Sequence, residues 1–403
     1  MHDRRPQPSF ETHRLRDAPQ DGVRRLGKQL NMHGTKILDE ADRLMTVCNS
    51  CRYCEGLCAV FPAMEMRRSF SDGDLNYLAN LCHGCGACYV DCQFSPPHEF
   101  NVNVPQTLAI VRAESYAAYA WPRALAGLFS RNGLVVSLVA ALSVATFVFG
   151  FAAFSDPKVL YGINTGPGAF YALLPHNAMA ALFGAAFLYA IVALTMGLRA
   201  FWRDIGAPIG RRADAWSLFQ AMRDAGELRY LDGGGVGCFN ADDRPIDRRR
   251  LYHHFTFYGF LLCFAATSVA TLYHYALARE APYPWWDLPV VLGTSGGIGL
   301  LIGPIGLFAA KWQRDAALLD EARMGMDVAF IAMLFLTSLS GMALLLLRAT
   351  SAMGPLLALH LGFVFALFVT LPYGKFVHGL YRYVALVRYA RERRMMAAEV
   401  TPE

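Results

Sequence analysis

Charged residues are scarce in this chain of 403 residues: Asp, Glu, Lys and Arg make up 17% of it, whereas hydrophobic residues make up 55%. A soluble protein usually carries about 25% charged residues, so this composition argues against a chain that is soluble throughout. The deficit begins after Leu134, where apolar residues form runs of roughly 20, the length that crosses a bilayer as a helix. The sequence therefore predicts a polar N-terminal domain followed by a membrane domain.

The first 35 residues lack the apolar core of a secretory signal peptide and are rich in Arg, Asp, Pro and Gln. We therefore expect a flexible arm over residues 1–35 and a following domain that is not secreted. In the cytoplasm thiols are kept reduced. The closely spaced cysteines of that domain are thus expected to bind metal rather than to form disulfides.

Eight of the ten cysteines fall into two copies of one motif, C-x2-C-x2-C-x3-C, in the segments VCNSCRYCEGLC (Val47–Cys58) and LCHGCGACYVDC (Leu81–Cys92). Three cysteines at this spacing let one tight loop hold three corners of a cubane cluster, and in two-cluster ferredoxins the fourth cysteine binds the other cluster. The motifs therefore predict two [4Fe–4S] clusters with crossed ligands. The first set is Cys48, Cys51, Cys54 and Cys92, and the second set is Cys82, Cys85, Cys88 and Cys58.

Zinc is the alternative for these cysteines, but structural zinc sites usually take their ligands as two separated C-x2-C pairs.

In ferredoxins a proline usually follows the fourth cysteine directly, whereas here the prolines come four residues later, at Pro62 and Pro96. The segment between the motifs is predicted to be helical, with a cap at 71–74. This favours a mainly helical type of ferredoxin domain.

Six apolar segments are long enough to cross a membrane. They cover approximately Leu134–Phe154, His176–Leu198, His253–Tyr275, Leu288–Ala310, Met326–Leu347 and Leu356–His378. Basic residues alternate between the connections: ten arginines lie in 199–252, whereas the connections with Lys158, Arg279 and Arg348 hold one basic residue each. Because lysine and arginine accumulate on the cytoplasmic side, we expect both termini there, in a multi-pass protein of the bacterial inner membrane.

Histidines at the ends of the third and sixth segments are candidate haem ligands, because ionisable residues inside a span often have a function. His253 and His274 are 21 residues apart, and His360 and His378 are 18 apart, so each pair is expected to share one helix face. If the two helices are antiparallel, His253 faces His378 at the inner end and His274 faces His360 at the outer end. The sequence thus predicts one or two haem b groups.

Other readings of these residues remain open. The four histidines are alternatively polar side chains at the membrane interface, and His176 is the main rival for the outer site. The glycine-rich stretch YLDGGGVGCFN (Tyr230–Asn240) lacks the strand and helix of a nucleotide-binding motif and is interpreted as a flexible loop. Cys238 and Cys263 are expected to have structural roles. His83 and His98 lie near the cluster motifs and could tune the clusters, but they are interpreted as ordinary loop residues.

The predicted fold is mainly α. A helical two-cluster ferredoxin-like domain at 36–125 precedes a six-helix transmembrane cytochrome b-like bundle at 130–385, which includes a cytoplasmic loop at 199–252. A C-terminal tail follows at 386–403. Clusters in the cytoplasm and haem in the bilayer would together conduct electrons. The chain has no flavin or nicotinamide fingerprint, so the primary oxidation is expected on a partner protein, with a membrane quinone as acceptor and no nucleic acid as partner.

The cysteine motifs CNSCRYCEGLC and CHGCGACYVDCQFSPPHEF, the six spans and the stretch RYLDGGGVGC resemble tricarballylate utilisation protein B, also called citrate utilisation protein B. The resemblance covers nearly the whole chain after about Asp39. It implies a membrane iron–sulfur protein that reoxidises the flavin of an FAD-dependent dehydrogenase, which oxidises tricarballylate to cis-aconitate. The eight cluster cysteines carry over from the family's motifs, whereas the haem ligands rest on helix geometry.

Two alternatives differ in class. One is the iron–sulfur membrane subunit of a complex similar to heterodisulfide reductase or fumarate reductase. The other is a non-catalytic redox sensor. A flavoprotein partner similar to succinate dehydrogenase would favour electron transfer from a partner dehydrogenase over both alternatives. Clusters without b-type haem would favour the sensor.

Overall fold

The structure, a computed structural model, describes residues 33–206, 213–233, 235, 237–239, 245–246 and 248–400. The expected arm at 1–35 therefore lies almost entirely outside the described residues. The described chain is mainly helical, as the sequence predicts. Its β-structure in these ranges is one antiparallel hairpin of β1 (Cys238–Phe239) and β2 (Pro245–Ile246).

The N-terminal domain is built from α1 (Lys36–Cys51), α2 (Val60–Glu65), α3 (Asp72–Leu81), α4 (Ala87–Val90) and α5 (Val104–Ala118). Ser71 and Asp74 form a capping box at the start of α3, where the sequence predicts a cap. Buried apolar residues of α1, α2, α3 and α5 form one core. This core leaves both cysteine motifs at helix ends and in the loops between helices.

The remaining helices are α6 (Asn132–Phe154), α7 (Pro157–Leu160), α8 (His176–Gly206), α9 (Ala215–Gly226), α10 (Arg248–Leu277), α11 (Leu288–Trp312), α12 (Met324–Leu347), α13 (Met353–Thr370) and α14 (Val377–Val400). Among the described residues six helices, α6, α8 and α10 to α13, are long and apolar enough to cross a membrane. Large apolar side chains on them point outward, such as Phe149, which is 72% exposed. The prediction of six membrane helices is confirmed by this count.

The sixth predicted span, Leu356–His378, is wrong at its C-terminal end. α13 stops at Thr370, a 3-10 turn covers Leu371–Tyr373, and the backbone is extended at Gly374 (φ −131°, ψ −171°) before α14 begins. Pro372 lies in that turn, and a proline ring and its missing N–H do not fit a continuing α-helix.

This break separates two of the candidate haem ligands. His360 lies on α13, whereas His378 is the second residue of α14. The prediction that they share a face of one helix is therefore wrong. Their relative position follows from the packing of α14 and cannot be derived from helical periodicity.

α14 packs against the N-terminal domain, and it continues past residue 386, where the sequence analysis places the start of a tail. Its Arg388 is buried and donates hydrogen bonds to Asp74 (2.7 Å) and Glu392 (2.8 Å). Glu392 also accepts from the Tyr77 hydroxyl (2.9 Å), and Arg67 bonds both carboxylates. This buried network fixes the middle of α14 to α3.

Three basic segments that follow or connect the membrane helices contact the N-terminal domain: the connection 199–252, the connection 311–325 and the segment after the sixth span. Residues 130–385 are called the membrane half below. Arg249 at the start of α10 donates to the His83 carbonyl (3.2 Å), and Arg382 of α14 donates to the Cys82 carbonyl (2.7 Å). Asn103 of the N-terminal domain donates to the carbonyl of Ala317 (2.7 Å), between α11 and α12. The basic ends of the membrane helices thus lie on the side of the cysteine motifs.

Candidate functional site

The first set of cysteines lines one cavity of about 220 Å³ in the N-terminal domain. The last turn of α1 carries Cys48 and Cys51, and Arg52 ends this helix in a left-handed conformation (φ 56°), so that the chain turns before Cys54. Cys92 reaches the same cavity from the second motif, two residues after α4. Cys88 of the second set also borders this cavity, so the two sets are adjacent.

The second set is also drawn together, around the loop between α3 and α4. Burial raises the pKa of Cys58 and of Cys88 well above the usual range, and the nearby Cys85 and Cys82 raise both further. Gly84 adopts a left-handed conformation (φ 57°), and its N–H donates to the Cys82 sulfur (3.3 Å). The structure therefore brings the fourth cysteine of each motif to the first three of the other motif.

The chemistry of these donors fits an iron–sulfur cluster. Burial, followed by the charges of neighbouring thiolates, raises the pKa of Cys48 and of Cys54 to about 12. A nearby positive centre is needed to keep such thiols in the thiolate form that binds iron. The described residues include all ten cysteines, and they contain no disulfide.

Zinc fits these cysteines less well. In the described ranges no three His, Cys, Asp or Glu side chains converge closely enough to hold a single metal ion. A structural zinc ion requires four ligands at about 2.0–2.3 Å from one point, whereas a cubane cluster spreads its four cysteines around a larger body. The C-x2-C-x2-C-x3-C spacing in the sequence favours clusters.

The two sets differ in their exposure. In the first set Cys51 is exposed, and the neighbouring Tyr53 is 71% exposed. In the second set Cys82 and Cys85 are only 7% and 8% exposed. The first set therefore opens to solvent, and the second set is covered by the rest of the protein.

Arginines from three helices hold the loop of the second set. Arg112 of α5 and Arg382 of α14 both donate to the Cys82 carbonyl, and Arg249 of α10 donates to the carbonyls of His83 and Gly84. Sequence reasoning missed this role, because it used the basic residues of the membrane half only to assign orientation. The carbonyl contacts fix the second set against the start of α10.

The inner histidines lie near each other, close to this loop. His253 is within electrostatic range of His378, Arg249, Arg382 and Lys375. The Nδ1 of His378 bonds the Lys375 carbonyl, which can only accept, so Nδ1 carries the proton. The Nε2 of His378 is then unprotonated and available as a ligand.

The outer histidines are arranged differently from the predicted pairing of His274 with His360. The ring of His274 stacks on that of His176, with centroids 3.5 Å apart, and the buried Nδ1 atoms of both have no hydrogen-bond partner among the described residues. The Nδ1 of His360 instead lies 3.1 Å from the Ser340 hydroxyl of α12. His176, the rival for the outer site, is therefore the immediate neighbour of His274.

Two further histidines lie near the cysteine motifs. His83 is buried, and its Nδ1 is 2.9 Å from the Leu81 carbonyl. Burial, together with Arg382, Arg249 and Arg112, lowers the pKa of His83 well below the usual range. His98 is a loop residue whose Nδ1 accepts from the Phe100 N–H (3.0 Å). A neutral His83 thus belongs to the packing around the second set.

A ferredoxin-like domain with two crossed cysteine sets, joined to six membrane-length helices, defines a membrane iron–sulfur protein. The family model described as Citrate utilization protein B matches residues 127–399, and that of the Citrate utilization protein B Fer4-like domain matches residues 41–118. The chain is 51% identical over 356 residues to Citrate utilization protein B of Escherichia coli, which covers 88% of this chain and 92% of that protein. The chain therefore belongs to the Citrate utilization protein B family. No solved structure matches it.

Proposed function

We propose that this protein transfers electrons from the reduced flavin of an FAD-dependent dehydrogenase, through two [4Fe–4S] clusters, to the membrane quinone pool. The observation that carries the proposal is the pair of crossed cysteine sets, one open to solvent and one held against the membrane half by arginines. Electrons would enter at the first set, which is exposed to a soluble partner, and leave from the second set, which contacts the membrane half.

Cys48, Cys51, Cys54 and Cys92 would hold the first cluster, and Cys58, Cys82, Cys85 and Cys88 the second. When bound, each cluster supplies a site that accepts and releases one electron. The protein's own contribution is to fix the distance between the two sets and to control solvent access. Exposed Cys51 and Tyr53 give a soluble partner an approach to the first set.

We further propose that haem b lies in the membrane half. His253 and His378 would hold an inner haem, because the Nε2 of His378 is unprotonated and His253 is within electrostatic range of His378. An outer haem would use His274, with His360 as its second ligand in the predicted pairing or the adjacent His176 in its place. Two imidazoles leave no open position on the iron, which suits electron transfer.

The substrate of the pathway is proposed from the family. The relative from Escherichia coli is named for the use of citrate, and the resemblance implies a partner that oxidises tricarballylate. We therefore propose a role in the utilisation of tricarballylate or citrate, in the bacterial inner membrane, with both termini in the cytoplasm. The contact between the basic connections and the cysteine domain supports one common side for both.

Iron analysis of protein purified without oxygen tests the proposal. We expect about eight cluster irons per chain, in addition to haem iron, and electron paramagnetic resonance signals of two reduced [4Fe–4S] clusters. A purified, folded chain that contains zinc in place of iron would contradict the proposal. A co-purifying protein that contains flavin would support a dehydrogenase partner and argue against a redox sensor.

A further inference from the structure

The glycine-rich connection before α10 packs directly on the second set of cysteines. Gly233 has a positive φ of 65°, and a Cβ at this position would lie 3.2 Å from the Cys85 sulfur and 3.0 Å from the Cβ of Ala87. Cys238 is buried in one small apolar cluster with Cys85 and Ala87, and its sulfur is 3.2 Å from the Leu231 carbonyl. Gly233 and Cys238, in the stretch interpreted as a flexible loop, thus form part of a wall of the second set.

Two arginines complete the same wall. Arg249 donates to the carbonyls of His83 and Gly84, and one of its nitrogens is 3.8 Å from the Cys238 sulfur. Arg314, in the connection after α11, lies over the same loop: its Nη2 is 3.8 Å from the position that a Cβ on Gly84, between Cys82 and Cys85, would occupy. The second set is thus faced by two guanidinium groups from the membrane half.

Arg314 has unused hydrogen-bonding capacity at this place. Its Nε and Nη2 are buried and have no partner in the part of the chain that the structure describes. Burial, followed by the charge of Arg249, lowers the pKa of Arg314 to about 9, whereas the nearby cysteines raise it. A buried guanidinium without an anion is costly, and the sulfurs of Cys82 and Cys85, on either side of Gly84, are candidate anions for it.

We propose that Arg314, Arg249, Gly233 and Cys238 form a shell around the second cluster that excludes water and raises the reduction potential of this cluster above that of the solvent-exposed first cluster. The inference rests on the proposed function. A higher potential at the second cluster would favour electron transfer from the first cluster to the second.

The electrostatic reason follows from the charge balance. Reduction adds one electron to the second cluster as the first cluster loses one, no proton is transferred, and the four thiolates stay bound. The second site therefore becomes more negative by one charge. Fixed positive charges in a poorly solvated place stabilise that more negative form. Exclusion of water by the wall alone would disfavour the more negative form. It also strengthens the attraction between that form and the two guanidinium groups, and this attraction outweighs the loss of hydration.

A potentiometric titration followed by electron paramagnetic resonance tests the role of the charge. In Arg314→Gln we expect the midpoint potential of the second cluster to fall, with the first cluster unchanged and Arg314→Lys partly restoring the original value. Arg323→Gln is the matched control, because Arg323 lies in the same connection and pairs with Asp320 (2.8 Å). An unchanged second potential in an iron-replete Arg314→Gln protein would overturn the proposal.

A glycine pair tests the wall without changing a charge. Gly233 and Gly235 both have positive φ (65° and 104°), but a Cβ at Gly235 meets nothing within 4 Å. Exposed to air, Gly233→Ala should lose the second-cluster signal faster than Gly235→Ala, which carries the same type of backbone strain. Equal rates of loss in the two variants would exclude the shielding role.

These measurements need neither a dehydrogenase nor a quinone. If both clusters are present and Arg314→Gln changes the potential of the second cluster no more than Arg323→Gln does, the shell is refuted and the proposed electron transfer still stands. A protein without clusters would instead refute the proposed function.

Discussion

Cys58 and Cys92 are the residues on which the crossed arrangement depends. Cys92 borders the cavity of the first set, although it belongs to the second motif, and Cys58 lies beside Cys82 and Cys85, although it belongs to the first. The three residues between the third and the fourth cysteine thus carry the chain from one site to the other. Mutation of one fourth cysteine should therefore damage the cluster of the opposite motif.

Four serine variants test this crossing. The spectrum that remains in Cys58→Ser should match that of Cys85→Ser, and the spectrum that remains in Cys92→Ser should match that of Cys51→Ser. Each variant should keep about half of the cluster iron, roughly four of eight atoms. Electron paramagnetic resonance of the reduced proteins gives the comparison. The opposite matching, Cys58→Ser with Cys51→Ser, would assign each motif to its own cluster.

The histidines allow a second prediction at this scale. His378→Ala should remove the inner b-type haem, because its free Nε2 is the proposed ligand, and His274→Ala should remove the outer one. His360→Ala and His176→Ala then form a matched pair that identifies the second outer ligand. Absorption spectra of the reduced proteins provide the measurement. Full b-type absorbance in all four variants would exclude haem at these histidines.

Among the elements, α14 has the largest consequence for the assembly of the protein. His378 is its second residue, its Arg382 contacts the loop of the second set, and its Arg388 and Glu392 belong to the buried network with α3. One helix thus connects a candidate haem ligand, a cluster loop and the core of the cysteine domain. Most of the free energy that holds α14 against the cysteine domain should come from Arg388, the buried centre of the network.

Arg388→Met should lower the free energy of unfolding by about 3–5 kcal/mol, because it leaves Asp74 and Glu392 without part of their buried counter-charge. Arg394→Met is the matched control on the same helix. Arg394 pairs with Asp214 (3.1 Å), but its side chain is 58% exposed, so the loss should be about 0–1 kcal/mol. Denaturant unfolding in detergent measures both. Equal losses in the two variants would show that the network does not anchor α14.

The same network predicts a pH dependence. Burial alone would raise the pKa of Asp74, but hydrogen bonds from Arg67 and Ser71 and the charge of Arg388 lower it to about 2. Because this value lies below that of the unfolded chain, ionised Asp74 stabilises the fold above roughly pH 4, and the contribution is lost as the pH falls toward about 2. The loss of stability on acidification should be shallower in Arg388→Met than in the parent protein.

The elements were predictable from sequence where a local pattern defines them. Long apolar runs identified all six membrane helices, and Ser71 with Asp74 identified the start of α3. The end of the sixth span was not identified from hydropathy alone, although Pro372 and Gly374 are residues that break helices. Hydropathy records the length of an apolar segment and does not record a change of direction inside it.

At the scale of the whole molecule, the membrane half forms one wall of the second cysteine set. Both cysteine sets could be predicted from their spacing, since ligands within one loop are a local pattern. The contact of Gly233 with Cys85, and that of Arg249 with His83, join residues about 150 or more positions apart. A single sequence contains no local signal for such contacts, so the packing around the second set became visible only in the fold.

Quinone reduction in inverted membrane vesicles, which expose the cytoplasmic face, tests the central claim most directly. With reduced methyl viologen as the electron donor, vesicles that contain the protein should reduce their quinone faster than vesicles without it. Cys85→Ser should abolish the difference, because it removes the second cluster, the proposed link to the membrane half. A Cys85→Ser protein that is present and folded in the vesicles, and that supports the full rate of quinone reduction, would contradict the account.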